Sequence, residues 1–132
     1  MSAPAYDPNN IFAKILRKEA PCDFVYEDAD TFVFMDIMPR SDGHALIIPK
    51  APARNILDAS PGLLAPLIAT TQRVAIAAKK AFNADGITVA QFSEPAGGQV
   101  VFHLHVHVLP RFAGVELRPL ASRGRQRSKR TG

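Results

Sequence analysis

Three histidines separated by single apolar residues, in His103-Leu104-His105-Val106-His107-Val108-Leu109, constrain this chain more than any other feature. Side chains alternate along an extended segment, so the three imidazoles are expected on one face. Phe102, Leu104, Val106 and Val108 are then expected on the opposite face, toward the core. Burying three rings costs desolvation and leaves ring nitrogens in need of partners, so the pattern points to chemistry rather than packing. The run from Val100 to Pro110 is predicted to be the longest strand, entered through a Gly97-Gly98 turn.

The rest of the chain supplies a frame for that strand. Asn9 or Asn10 can cap a short helix with Ile11, Phe12, Ile15 and Leu16 on one stripe, ended by Pro21. Strands are predicted from Phe24 to Glu27, from Phe32 to Asp36 and from Gly43 to Pro49, with Asp28-Ala29-Asp30 as the first turn. A long helix is expected from the Ser60 cap to about Phe82, or from near Ala65 if Pro66 breaks its first turns. Leu67, Ile68, Thr71, Val74 and Ala78 form its apolar face, and Ile87 to Phe92 is a further strand. Strands in hairpin succession with one long helical excursion predict the α+β class, with an antiparallel sheet of five strands and two helices.

Two chemistries compete for the histidines. At ~3.3 Å per residue, His103 and His107 lie about 13 Å apart at Cα, too far for all three rings to share one tetrahedral ion. A two-histidine metal site would need help from His44 or Asp36. Nucleophilic catalysis uses all three rings. Neutral imidazole attacks phosphorus at neutral pH, and the phosphoryl-imidazole so formed is readily hydrolysed. The central ring is the natural nucleophile, and His103 and His107 can serve phosphate oxygens and protons. Gly97, Gly98 and Gln99 are expected to form a phosphate cradle from backbone N–H groups and a side-chain amide. No metal or cofactor is expected.

The segment Gly98-Gln99-Val100-Val101-Phe102-His103-Leu104-His105-Val106-His107-Val108-Leu109-Pro110-Arg111 resembles the signature of the histidine triad family of nucleotide hydrolases and transferases. The likeness extends to Ile11-Phe12-Ala13-Lys14-Ile15-Leu16, to Val33-Phe34-Met35-Asp36-Ile37-Met38-Pro39 and to Gly43-His44-Ala45-Leu46-Ile47-Ile48-Pro49-Lys50. It implies the histidine triad fold, paired as a homodimer through the long helix and a sheet edge. It also implies a metal-free covalent step at the α-phosphorus of a nucleoside phosphoramidate or dinucleoside polyphosphate, with a purine as the expected base. His105 becomes the nucleophile, His103 and His107 its partners, and Gln99 a phosphate or leaving-group contact. Asp36 is placed on the ribose hydroxyls, Ile11, Phe12, Phe34 and Ile37 around the base, Gly98 beside the phosphates and His44 near the triad. Val100 stands where many members carry Ser or Thr, which favours a second reading as a low-turnover nucleotide-binding sensor or scaffold. Gln91-Phe92-Ser93-Glu94 lacks the usual Asn. Ala13 and Lys50-Ala51-Pro52 lack the zinc ligands of some bacterial members.

Charge adds little to this chemistry. Arg123, Arg125, Arg127, Lys129 and Arg130 account for five of 16 basic residues, leaving 11 against 12 acidic ones in the body. Residues 1–120 are expected to form the domain, and 121–132 a disordered basic tail for which nucleic-acid contact is the less favoured role. No apolar run approaches the ~20 residues of a membrane span, no leader pattern opens the chain, and Cys22 is alone. The expected location is the cytoplasm.

Overall fold

The structure, a computed structural model, describes residues 5–119. Its elements are α1 (Ile11–Leu16), β1 (Asp23–Glu27), β2 (Thr31–Met35), β3 (Ala45–Pro49), α2 (Pro61–Ala81), β4 (Gly86–Ala90) and β5 (Val106–Arg111). A single 3₁₀ turn, Pro95–Gly97, precedes the histidine segment. The Asn10 side chain accepts the Ala13 N–H at 2.9 Å and so starts α1. This helix stops well before Pro21, because Lys18 takes a left-handed φ of +64° and turns the chain away.

Ser60 caps α2 by accepting the Leu63 N–H at 3.2 Å, and the helix continues through Pro66. The alternative start near Ala65 is not adopted. Only the exposed Gly62 lacks its intrahelical donor, and water can take its place. Leu67, Thr70, Thr71 and Ala78 are buried on the sheet side. Ile68 leaves the expected apolar face and is 61% exposed.

The five strands form one sheet in the order β1-β2-β3-β5-β4, every neighbour antiparallel. The predicted α+β architecture with two helices is thus the one adopted. Alternation sorts the strand residues between two cores. Val33, Ile47, Leu104, Val106 and Val108 pack with Leu67 and Ala78 of α2, whereas Phe32, Phe34, Leu46 and Ile48 pack with Phe12 and Ile15 of α1.

The strand predicted from Val100 to Pro110 forms only from Val106 onward. Its register, Leu46 opposite His107 and Ile47 opposite Val106, would set Ile48 opposite His105 and then Pro49 opposite Leu104. Pro49 has no N–H to extend the ladder, so the preceding segment is held otherwise, with the Leu104 N–H donating to the Ala53 carbonyl at 2.8 Å. Phe102 accordingly leaves the core, and the Arg54 guanidinium lies 4.2 Å from its ring centroid. Among the described residues no helix is long and apolar enough to cross a membrane. The proposed boundary at 120 and the basic tail lie outside the described residues.

Candidate active site

The face of the sheet that carries α1 is incompletely covered, and a cleft of about 470 Å³ opens there. Ile11, Phe12, Phe34, Asp36, Ile37, His44, Gly98, His105 and His107 all line it, although they come from five separate stretches of chain. Phe12 and Phe34 belong to the core and the cleft wall at once. Ile37 is 78% exposed and Ile11 46%, so at the mouth of the cleft two apolar side chains face water. The Phe12 ring stands edge-on to His105 at 4.9 Å, and His105 stands edge-on to His107 at 5.0 Å. His105, just ahead of β5, and His107 thus share one face as the alternation predicts.

Hydrogen bonds to groups of fixed polarity determine where each ring carries its proton. The His105 Nδ1 lies 2.7 Å from the His103 carbonyl, which can only accept, so Nδ1 holds the proton and Nε2 holds the lone pair. That Nε2 has no partner among the described residues and reaches the cleft. His103 donates from Nε2 to the Pro49 carbonyl at 2.8 Å, so its Nδ1 accepts from the Tyr6 hydroxyl at 2.6 Å. His103 does not line the cleft. It holds the backbone carbonyl that orients His105.

A second chain of bonds fixes His107. The Arg40 backbone N–H donates to His44 Nδ1 at 3.0 Å, which leaves the His44 proton on Nε2. That proton faces His107 Nδ1 at 2.9 Å and Asp36 Oδ2 at 3.4 Å. His107 thus accepts at Nδ1 and presents Nε2–H to the cleft. Asp36, just past the end of β2, is held by the Met38 N–H donating to Oδ1 at 2.8 Å.

Burial keeps all four rings neutral. It lowers His103 to about 4 and His107 to about 3, the latter aided by repulsion from His105, His44 and Arg40. Burial lowers His105 and His44 as well, against an upward pull from the Asp36 carboxylate on each. Asp36 and His44, although close, therefore meet as a carboxylate and a neutral hydrogen-bond donor rather than as an ion pair.

Asp36, His44 and His107 offer possible metal-ligand atoms within 4.8 Å of one another. Their donor set does not fit an ion. The Arg40 N–H occupies the His44 Nδ1 lone pair and forces the proton onto Nε2, the atom a metal would need. Coordination would require an imidazolate or loss of that bond.

Gln99 departs from its expected contact with phosphate. Its Oε1 accepts from Asn55 Nδ2 at 3.0 Å and the Glu94 N–H at 2.7 Å, and its Nε2 donates to the Arg54 carbonyl at 2.7 Å and the Val101 carbonyl at 2.9 Å. With its amide fully engaged, Gln99 is buried behind the cleft and fastens the turn. The expected cradle is altered for the same reason, since the N–H groups of Gly97, Gly98 and Gln99 all close the 94–99 turn on itself. Gly98 still lines the cleft at a left-handed φ of +98°, packed beside Phe92.

Sequence reasoning missed Arg40, Phe92 and Tyr6. The ring of Phe92 stands edge-on to His107 at 5.3 Å. Arg40 carried no motif, and Tyr6 meets His103 from 97 positions away in sequence. No spacing rule could find either.

Comparison with known proteins agrees with this geometry. The HIT domain family model matches residues 17–114. An uncharacterized HIT-like protein of Synechococcus elongatus is 43% identical over 104 residues, 76% of this chain and 89% of that protein. An adenylylsulfatase of Arabidopsis thaliana is 36% identical over 101 residues, 76% of this chain but 51% of that protein. The crystal structure of a Hit-like protein from Bartonella henselae superposes with a TM-score of 0.85 at 57% identity, covering 87% of this chain and 88% of that one. A histidine triad nucleotide-binding protein from Sulfolobus tokodaii gives 0.76 at 35% identity, covering 89% and 81%. With the matched signature, the shared sheet and His44, His105 and His107 gathered on one cleft, this chain belongs to the HIT family.

Proposed function

We propose that this chain hydrolyses nucleoside phosphate conjugates at the α-phosphorus, through a nucleotidyl group carried on His105. The observation that carries this reading is the His105 tautomer: Nδ1–H is tied to the His103 carbonyl and the Nε2 lone pair faces the cleft. In the first step Nε2 attacks phosphorus, a P–N bond forms, and the bond to the leaving group breaks with its electron pair going to that group, an amine taking a proton from solvent as it leaves. His107 Nε2–H hydrogen-bonds the phosphoryl oxygens as charge shifts onto them. In the second step water attacks phosphorus, the P–N bond breaks, and its electron pair returns to Nε2. The water loses a proton to solvent, and a nucleoside monophosphate departs.

Asp36 binds the ribose hydroxyls in this reading, and Ile11, Phe12, Phe34 and Ile37 enclose a base, taken as a purine on the family resemblance. Phosphoramidates and dinucleoside polyphosphates are the proposed substrates. The names of the relatives agree, one an adenylylsulfatase and one nucleotide-binding. Exposed Ile68 and Ile76 on α2 and Val89 on the edge strand β4 support pairing as a homodimer through the long helix and a sheet edge. A cytoplasmic location is part of the same proposal.

His105→Asn tests the nucleophile. Hydrolysis should fall by several orders of magnitude while affinity for adenosine monophosphate changes little. Quenching wild-type turnover without acid should trap a nucleotidyl group on histidine that acid releases, and the variant should trap none. Survival of activity in His105→Asn, or its dependence on added zinc, would overturn the assignment. The second reading, a low-turnover nucleotide-binding protein, is favoured by Val100, which lines the cleft without a hydroxyl to offer. Wild-type turnover no faster than His105→Asn would select it.

A further inference from the structure

The residues just ahead of β5 lie outside the sheet ladder, yet they carry the His103 carbonyl that holds His105. Something other than strand pairing must fix them. Loop 49–55 supplies part of the hold through main-chain oxygens: the Pro49 carbonyl accepts from His103 Nε2, that of Ala53 from the Leu104 N–H, and that of Arg54 from Gln99 Nε2. The rest comes from one side chain. The Arg54 guanidinium lies over Phe102 and grips Glu94 with two bonds, Nε to Oε2 at 2.8 Å and Nη2 to Oε1 at 3.0 Å. The Arg54 side chain is only 14% exposed, and Asn55 Nδ2 adds a third bond to Glu94 Oε2 at 2.6 Å. Bonds from Arg54 and Asn55 hold the Glu94 carboxyl below the usual carboxylate range, so the pair is charged at neutral pH.

Glu94 holds a backbone conformation that suits glycine. Its φ of +67° with ψ of 160° lies in a region that a side chain enters only under constraint from its surroundings. The contacts of its carboxylate supply that constraint. The same residue closes the turn: its carbonyl accepts from the Gly97 and Gln99 N–H groups, and its own N–H donates to Gln99 Oε1. From that turn the chain passes through Gly98, Val100 and Val101, which line the cleft, to His103. Neither Arg54 nor Glu94 lines the cleft itself.

We infer that Arg54 and Glu94 are positioning residues for the nucleophile: their ion pair locks the 94–99 turn onto loop 49–55, and so fixes the His103 carbonyl that sets the tautomer and direction of His105. The kinetic consequence rests on the function proposed above; the geometric one does not. A ring whose Nδ1–H bond is loosened turns away from phosphorus or moves its proton to Nε2, where no lone pair is left to attack. In the proposed function the base and ribose contacts lie elsewhere, on Phe12, Phe34 and Asp36, so the clamp governs the chemical step rather than binding.

Variants of the full chain test this: Arg54→Met, which keeps an uncharged chain over Phe102, Glu94→Gly, Glu94→Ala, and Arg54→Met combined with Glu94→Gly. With adenosine 5′-phosphoramidate, kcat should fall about tenfold or more in each single variant while KM stays within about twofold. The double variant should lose no more than either single change, because the two residues act as one unit. Both Glu94 variants remove the carboxylate, but only Ala retains the backbone strain, so Glu94→Ala should melt below Glu94→Gly while losing the same activity. That split separates positioning from stability. Nitrogen-15 spectra of the His105 ring, which need no turnover, should show the proton on Nδ1 alone in the wild type and shared between Nδ1 and Nε2 in the variants. An unchanged kcat, a loss that tracks melting temperature, additive losses in the double variant, or an unaltered His105 tautomer would each overturn the inference. If the wild type hydrolyses nothing, the proposed function falls, and the spectra alone decide whether the clamp sets His105.

Discussion

Mild acid should destabilise this protein through its histidines before its carboxylates titrate. His103 and His107 are held at about 4 and about 3 in the fold, against an ordinary value of 6.5 that the unfolded chain restores. Between these limits the unfolded state binds more protons, so stability is full above pH 6.5 and is lost as pH falls toward the folded values. From about pH 7 to about pH 5, one ring that titrates only when unfolded costs ~2 kcal/mol, and the two together ~4 kcal/mol. His44 and His105 are displaced in the same direction and add to the loss. Asp28, lowered to about 2 by three hydrogen bonds from Thr31 and Asp30 and one from Tyr26, contributes only below the ordinary carboxylate value of 3.8, outside this window. Urea unfolding at steps through the range measures the loss directly. In His103→Gln, whose amide can still donate to the Pro49 carbonyl, the same interval should cost ~2 kcal/mol less. A wild-type loss below ~1 kcal/mol, or an unchanged loss in His103→Gln, would refute the account of buried neutral rings.

Two further outcomes follow from the site. Gln99→Ala removes an amide that makes four hydrogen bonds and takes one of two Nδ2 acceptors from buried Asn55. It should lower unfolding free energy by about 2–4 kcal/mol, and a change below about 1 would show that the turn does not depend on it. Asp36→Asn should weaken binding of adenosine monophosphate by about 1–2 kcal/mol through loss of charge-assisted bonds to the ribose, and calorimetry showing equal affinity would remove Asp36 from that role.

Much of the fold could be read locally. The Asn10 and Ser60 caps, the Asp28-Ala29-Asp30 turn and the existence of every strand rest on short-range chemistry that any window of the chain displays. The alternation of His103, His105 and His107 with Leu104, Val106 and Val108 was legible too, because it depends only on extended backbone. Strand ends were not. Whether β5 begins at Val100 or Val106 depends on which residue of β3 lies opposite, and the missing N–H of Pro49 acts from a distant part of the sequence.

The sequence by itself determined the family, through three imidazoles alternating with apolar residues along one extended segment. Tertiary structure decided which nitrogen of each ring is available. A tautomer is set by what lies across from the ring: the Pro49 carbonyl and Tyr6 hydroxyl for His103, the His103 carbonyl for His105, and His44 with the Arg40 N–H behind His107. Gln99 shows the same division in the opposite sense. Its place beside a glycine turn suggested a ligand contact, yet the fold brings Asn55, Arg54 and Glu94 around its amide and leaves it nothing to offer. Hydrogen-bond capacity is a property of the residue, but its availability depends on neighbours that only the folded chain supplies.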